Sequence, residues 1–314
     1  MSEIGEFSPP CPLHTPVLFL VYKRADTTRQ VFEAIRQAKP PRLYVAADGP
    51  KADVPGEAEK VREVRDIVLN GVDWDCEVKT LFRDKNLGCK RGVSEAINWF
   101  FEHEEQGIIL EDDCLPHPDF FHFCECLLNK YNDDQRVMHI GGSNLDQNYW
   151  ASSASYRFAK HMFCWGWATW ARAWKEYDSD ANFLTCEQTR ECLRTVFPKT
   201  VDLESMLRTI WSTRNEKSDT WDYQWGLSIW LQYGLCIIPR FNMITNIGNG
   251  PDSTHSTKCS KGIGLTAHGC DFPLVHPAFR TPDANADKKI QAAFFRPSRL
   301  VLFKRLCRKV LFNS

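Results

Sequence analysis

The sequence predicts an α/β protein built on a mostly parallel sheet with helices on both faces. Three observations carry that expectation. Short apolar runs recur along the chain, each of a length suited to a buried strand. Amphipathic segments of helical period separate them at the spacing of strand–helix–strand units. The apolar runs also end in polar or charged residues, which gathers polar groups at one edge of the sheet.

Taken in order, "PVLFLVY" (16–22) reads as the first buried strand, followed by an amphipathic helix from Thr27 to Ala38. "RLYVAAD" (42–48) is the second strand, and a second helix falls within 51–68. "CEVKTLF" (76–82) is the third strand, and "KRGVSEAINWFFE" (90–102) the third helix. "GIIL" (107–110) is the fourth strand, with a helix beginning near Pro118. The expected organisation is a short tail (1–14), a first half (15–142), a second half of the same domain with helices and loops (143–280), and a basic C-terminal tail (281–314).

Composition sets the bounds. The 314 residues are 43% apolar and 25% charged, as in a globular protein with ample material for a core. A net charge of -1 gives no global reason to expect nucleic acid as a partner. No leader-like segment and no apolar run near eighteen residues is seen, so a cytoplasmic location is expected. The 13 cysteines are odd in number, scattered through apolar segments, and lack paired zinc-ligand spacing. Free structural thiols are the expectation.

The stretch "GIILEDDCLPHPDFF" (107–121) is the most informative. A buried strand ends there in Glu111, Asp112 and Asp113, although adjacent carboxylates repel and are seldom buried unpaired. In parallel α/β sheets, ligands bind beyond the carboxyl ends of the strands, which is where this cluster falls. Asp48 ends the second strand and Arg24 follows the first. Magnesium and manganese prefer carboxylate oxygen and are commonly shared with substrate phosphates. No glycine-rich phosphate loop is present to do that work, so a metal and a diphosphate ligand are expected together, as in an enzyme using a nucleotide sugar. The plainer alternative is that Asp48 belongs to a turn and the acids cap a helix.

The segments "VYKRADTTRQVFEAI", "VAADG", "NLGCKRGVSEAI" and "GIILEDDCLPHPDFF" resemble the nucleotide-sugar half of GT-A glycosyltransferases, whose fold is Rossmann-like. The likeness is to the N-acetylglucosaminyltransferase I family, whose metal motif is also Glu-Asp-Asp before Pro-Asp-Phe-Phe, and to related bacterial glycan-assembly glycosyltransferases. It continues in "WDYQWGLSIWLQYGLCIIPRFNMITNIGNGPDSTHS" and is thinnest from 143 to 215. The resemblance implies roles. Asp113 binds the Mn2+ or Mg2+ that bridges the diphosphate, Asp112 contacts the ribose, and Glu111 the sugar hydroxyls. Asp48 accepts from a uracil ring, Arg24 lies beside the base, and Arg91 near the diphosphate. The family's next histidine falls on Gly92 here.

In the second half, Asp222 opens a helix carrying Trp221, Trp225 and Ile229 at helical spacing. An acid there suits the helix macrodipole. The resemblance instead makes it the general base of an inverting transfer. His255, in the small-residue loop 244–256, falls where the family covers its nucleotide, and a lid with a phosphate or metal contact is implied. Trp165, Trp167, Trp170 and Trp174 are read either as core or as a platform for sugar rings, with Trp170 and Trp174 on one helix face. From Lys288 to Ser314 there are eight basic residues and no acid, in a pattern that fits either a membrane-surface helix or a helix docked on the domain.

The expected activity is metal-dependent transfer of N-acetylglucosamine or a related hexose from a UDP-sugar to a glycan or lipid-linked glycan. An inactive glycan-binding scaffold of the same fold and a metal-dependent nucleotidyltransferase or phosphohydrolase are the alternatives.

Overall fold

The computed structural model describes residues 12–146, 150, 152–182, 187–215, 217–249 and 264–296. Its strands are β1 (Val17–Val21), β2 (Arg42–Ala47), β3 (Glu77–Phe82), β4 (Gln106–Glu111), β5 (Cys114–Pro116), β6 (Val137–Gly141), β7 (Tyr156–Ala159), β8 (Trp167–Trp170), β9 (Leu235–Pro239) and β10 (Ile244–Asn246). Eight of them form one sheet in the order β3-β2-β1-β4-β8-β6-β9-β7. The first four run parallel. β8 is antiparallel to both β4 and β6, β9 is parallel to β6, and β7 closes the edge antiparallel. β5 and β10 make a separate antiparallel ribbon.

The helices are α1 (Ala25–Ala38), α2 (Glu57–Gly71), α3 (Gly88–Phe101), α4 (Asp119–Lys130), α5 (Ala171–Trp174), α6 (Glu187–Val196), α7 (Thr200–Arg214), α8 (Asp222–Leu231) and α9 (Ala284–Ile290), with a π-helical turn at Gln291–Phe295. Alternation along the strands explains why both faces of the sheet need cover. Val17, Phe19 and Val21 point to one side with Ile108, Leu110 and Trp170, against Val31 and Ile35 of α1, Val64 of α2 and Leu127 of α4. Leu18 and Leu20 point to the other with Ile109 and Trp167, against Ile97 and Phe100 of α3, Trp174 of α5 and Trp225 of α8. The mixed α/β, mostly parallel, Rossmann-like architecture read from the sequence is thus the observed one.

Two boundaries differ from the sequence reading for local reasons. α1 begins at Ala25 because the Arg24 carbonyl already accepts from the Thr28 amide (3.0 Å) and hydroxyl (2.7 Å). The tryptophan-rich segment is a strand before it is a helix. Trp170 ends β8 and Trp174 ends the short α5, so they do not share a helix face. Trp167 and Trp170 face opposite sides of the sheet, and both are buried.

Trp167 sits within an aromatic column. His139 stacks on it at 5.1 Å and Trp221 at 5.5 Å, while Trp174 and Trp225 tilt against it. Burial drives the His139 pKa down to about 3, so the ring is neutral. Its Nδ1 accepts from Trp225 Nε1 at 3.3 Å, which leaves the proton on Nε2, facing the Phe163 carbonyl at 3.1 Å.

Outside the sheet, α6, α7 and the turn between them pack on α8 through Leu193, Phe197, Leu203 and Ile210 against Leu227 and Trp230. The described part of the basic C-terminal segment docks on the domain. Ile290 packs against Ala159 and Ile238, and Arg296 lies 3.3 Å from Asp202. The remainder of that segment, and His255, lie outside the described residues. The described cysteines are free thiols. No described helix is long and apolar enough to cross a membrane.

Trp167→Ala is expected to lower unfolding free energy by about 3–5 kcal/mol, because a large buried ring leaves a cavity in a packed column. Urea denaturation followed by tryptophan fluorescence measures this. A loss below about 1 kcal/mol would contradict the packing described.

Candidate active site

The carboxyl ends of β1 to β4 open into a cleft of about 400 Å³. Its wall follows the order of the sheet. Arg83 comes from the end of β3, Asp48 from β2, Tyr22 and Arg24 from β1, and Glu111, Asp112 and Asp113 from β4. The second half of the chain supplies the facing wall, with Trp165 before β8 and Asp219 to Asp222 at the start of α8. Arg24, Asp48, Glu111, Asp112, Asp113 and Asp222 are therefore brought together, although they span much of the sequence.

The acid cluster is held from three directions. Glu111 is the last residue of β4 and pairs in register with Leu20. The β5–β10 ribbon follows at once, and the Ile247 amide donates to the Asp113 carbonyl at 2.8 Å. This lays Gly248 over the cluster. A methyl group there would overlap Asp113 Oδ2 and come within 2.9 Å of Arg24 Nη1, so the position admits only hydrogen. Arg24 supplies the counter-charge. Its Nη2 donates to Asp112 Oδ1 and lies 2.9 Å from Asp113 Oδ2, with the side chain only 16% exposed.

One guanidinium does not offset this many acids. Burial lifts the Glu111 pKa above the ordinary carboxylate range, and Asp113 and Asp112 lift it further against the pull of Arg24. Asp222 adds to the same effect from across the cleft. Asp112 is also raised, chiefly by burial, although Arg24 opposes it.

Asp48 is half-buried and already engaged. Its oxygens accept from the amides of Leu87 (3.0 Å), Gly88 (3.1 Å) and Gly49 (2.9 Å). These bonds, with the Leu87 amide shared between both oxygens, pin the turn before α3. Gly92 borders it closely, since a Cβ there would lie 3.3 Å from Asp48 Oδ2, tight enough that the carboxylate would have to shift.

Arg91 is placed elsewhere. Gly88, Cys89, Gly92 and Val93 of α3 line the cleft, and Arg91 lies off that helical face. Its side chain is 69% exposed and pairs with Glu95 at 3.2 Å. The cations that join Arg24 in the cleft are Arg83 and Lys51. Arg83 occupies the position after β3 that Asp48 occupies after β2, so the strand-end rule could have found it. Asp219, two residues before the tryptophan that precedes Asp222, also lines the cleft, and no motif marks it.

The donor set suits a hard divalent cation. Its atoms are carboxylate oxygens, and burial together with the neighbouring carboxylates raises Glu111 and Asp112. Among the described residues no group of three or more histidine, cysteine, aspartate or glutamate side chains converges as a metal cage. A cation held here would draw most of its shell from a bound ligand and water, as magnesium and manganese do with phosphates.

The sequence matches no protein-family profile and no curated protein. A solved structure that it resembles in part is UDP-glucose pyrophosphorylase complexed with UDP-glucose, at 12% identity and a TM-score of 0.27, covering 47% of this chain. The match spans 62% of that protein, less than two thirds of its length.

Glu111 binds its proton more tightly folded than unfolded. It therefore stabilises the metal-free fold fully below the ordinary carboxylate range, and that contribution is lost as pH rises through the raised value. Glu111→Gln should flatten the decline of Tm above about pH 7.5, where the buried histidines contribute almost no slope. Thermal melts of both proteins across this range provide the check. Parallel slopes would contradict the shift assigned to Glu111.

Proposed function

We propose that this protein is a metal-dependent, inverting glycosyltransferase. It moves a hexose, N-acetylglucosamine or a close relative, from a UDP-sugar to a hydroxyl of a glycan or lipid-linked glycan. The observation that carries this reading is the meeting of two features in one cleft. The Glu111-Asp112-Asp113 cluster lies at the carboxyl edge of the parallel sheet, and Asp222 faces it from the N-terminus of α8. The resemblance of these segments to GT-A glycosyltransferases supports the same roles.

In this reading the donor lies along the strand ends. Asp48 accepts from the uracil ring, with Arg24 and Arg83 at the nucleotide end. Asp112 holds the ribose and Glu111 the hydroxyls of the sugar. Asp113 holds Mn2+ or Mg2+, which when bound offsets the charge that develops on the departing diphosphate. Gly248 keeps the chain close over that position without filling it.

Asp222 takes the proton of the acceptor hydroxyl as its oxygen attacks the anomeric carbon. The new carbon–oxygen bond forms on the face opposite the one that breaks to UDP, so the anomeric configuration inverts. Thr220 Oγ1 donates to Asp222 Oδ1, which aims the carboxylate.

Incubation with manganese and UDP-N-acetylglucosamine distinguishes the possible chemistries. Glycosyl transfer, to an acceptor or slowly to water, releases UDP. A phosphohydrolase releases UMP and sugar 1-phosphate, a nucleotidyltransferase turns over only when pyrophosphate is added and then yields UTP and sugar 1-phosphate, and a scaffold binds without turnover. Asp222→Asn should keep donor affinity and lose the UDP-releasing reaction by about 10²–10⁴-fold. UMP as the product, or a retained anomer by proton NMR, refutes the single-base mechanism.

A further inference from the structure

α3 begins without a cap of its own. Leu87 stands at the N-cap position and offers no side-chain acceptor. The first amides of a helix have no intrahelical partner and need one. Here it comes from the other half of the chain. Asp219 Oδ2 accepts from the Cys89 amide at 2.8 Å, and Asp219 Oδ1 from the Lys90 amide at 2.8 Å. Gly88 makes the approach possible. A Cβ at that position would lie 2.6 Å from Asp219 Oδ2, and the backbone there has φ +82°, a conformation glycine adopts without strain.

Asp219 is three residues before Asp222, at the start of the same wall of the cleft. Thr220 between them donates to Asp222 Oδ1. Trp221 is 2% exposed and stacks on Trp167 at 5.5 Å. The segment carrying the proposed base is thus fixed at two points. The indole is sunk in the aromatic column, and the carboxylate is clamped across the first turn of α3.

We infer that Asp219 is a positioning residue, whose bidentate cap on α3 sets where Asp222 stands relative to the donor. A local serine, threonine or aspartate at position 87 could have capped the helix equally well. That would have left the 217–222 segment unattached to the wall that holds the nucleotide. Capping from Asp219 instead links the wall formed by α3 to the wall that carries Asp222. The claim rests on Asp222 being the base, as proposed above.

The test uses the full-length protein, Mn2+ and UDP-N-acetylglucosamine, with UDP release as the activity and amide exchange of Cys89 and Lys90 as an independent readout. In Asp219→Ala both amides should lose protection. The kcat should fall by about 10²-fold, the scale on which a small misplacement of a reacting group acts, with KM and the Kd for UDP unchanged. Asp219→Asn, which keeps one acceptor oxygen, should recover part of the kcat. Gly88→Ala, which crowds Asp219 Oδ2, should likewise expose the Cys89 and Lys90 amides, and that exchange readout serves if Asp219→Ala does not fold. Exposed amides with kcat intact would overturn the inference, as would a fall in kcat matched by an equal loss of UDP affinity. Amides already unprotected in the wild-type protein would overturn it too. If instead Asp222→Asn retains full activity, the reading of the base fails. The exchange experiment then still decides whether the cap exists.

Discussion

Three consecutive carboxylates at the end of a buried parallel strand set the terms for the rest of this structure. A strand covered on both faces cannot shift its register to move them away, because a one-residue slip would exchange the residues packed into its two cores. The charge must be met where it stands. Arg24, reaching from the neighbouring strand end, meets part of it, and Gly248 closes over the arginine and Asp113 without room for a side chain. Burial first, and the neighbouring carboxylates second, raise the affinity of Glu111 and Asp112 for protons. A site in this condition gains from any ligand that brings positive charge, and a cation arriving with a diphosphate brings it without adding a permanent protein cation.

The surrounding fold converts that local charge into a two-sided cleft. The parallel half contributes strand ends, and their order across the sheet becomes the order of side chains along one wall. The antiparallel insertion of β8 between β4 and β6 carries the chain back across the sheet and buries Trp167. The column around that indole anchors Trp221, and α8 begins at the next residue. The site thus depends on packing several residues away from it: the aromatic core sets the entry of α8, and α8 presents Asp222.

Much of this was legible in the sequence because it rests on short-range pattern. Strand and helix alternation gave the fold class, since period and spacing are local properties. The strand-end rule located Asp48, Arg24 and the acid cluster. It applies equally to Arg83, but an arginine after a strand carries no motif that marks it as a ligand. The position of Arg91 depends on which face α3 turns inward, and that is decided by Ala96, Ile97 and Phe100 packing on the sheet. Asp219 was invisible for a different reason. Its partners are 129 and 130 residues away and are backbone amides, which leave no trace in residue identity. The tryptophan segment was misjudged locally, because a strand buried on both faces lacks a polar alternation to distinguish it from a helix.

The central claim is that the acid cluster and a nucleoside diphosphate hold one divalent cation between them. Calorimetric titration of UDP into the protein, with and without Mn2+, tests it most directly. The account predicts weak binding of UDP alone, weak binding of Mn2+ alone, and tight binding when both are present. UDP affinity that does not change with Mn2+ would contradict it, and so would Mn2+ affinity that does not change with UDP.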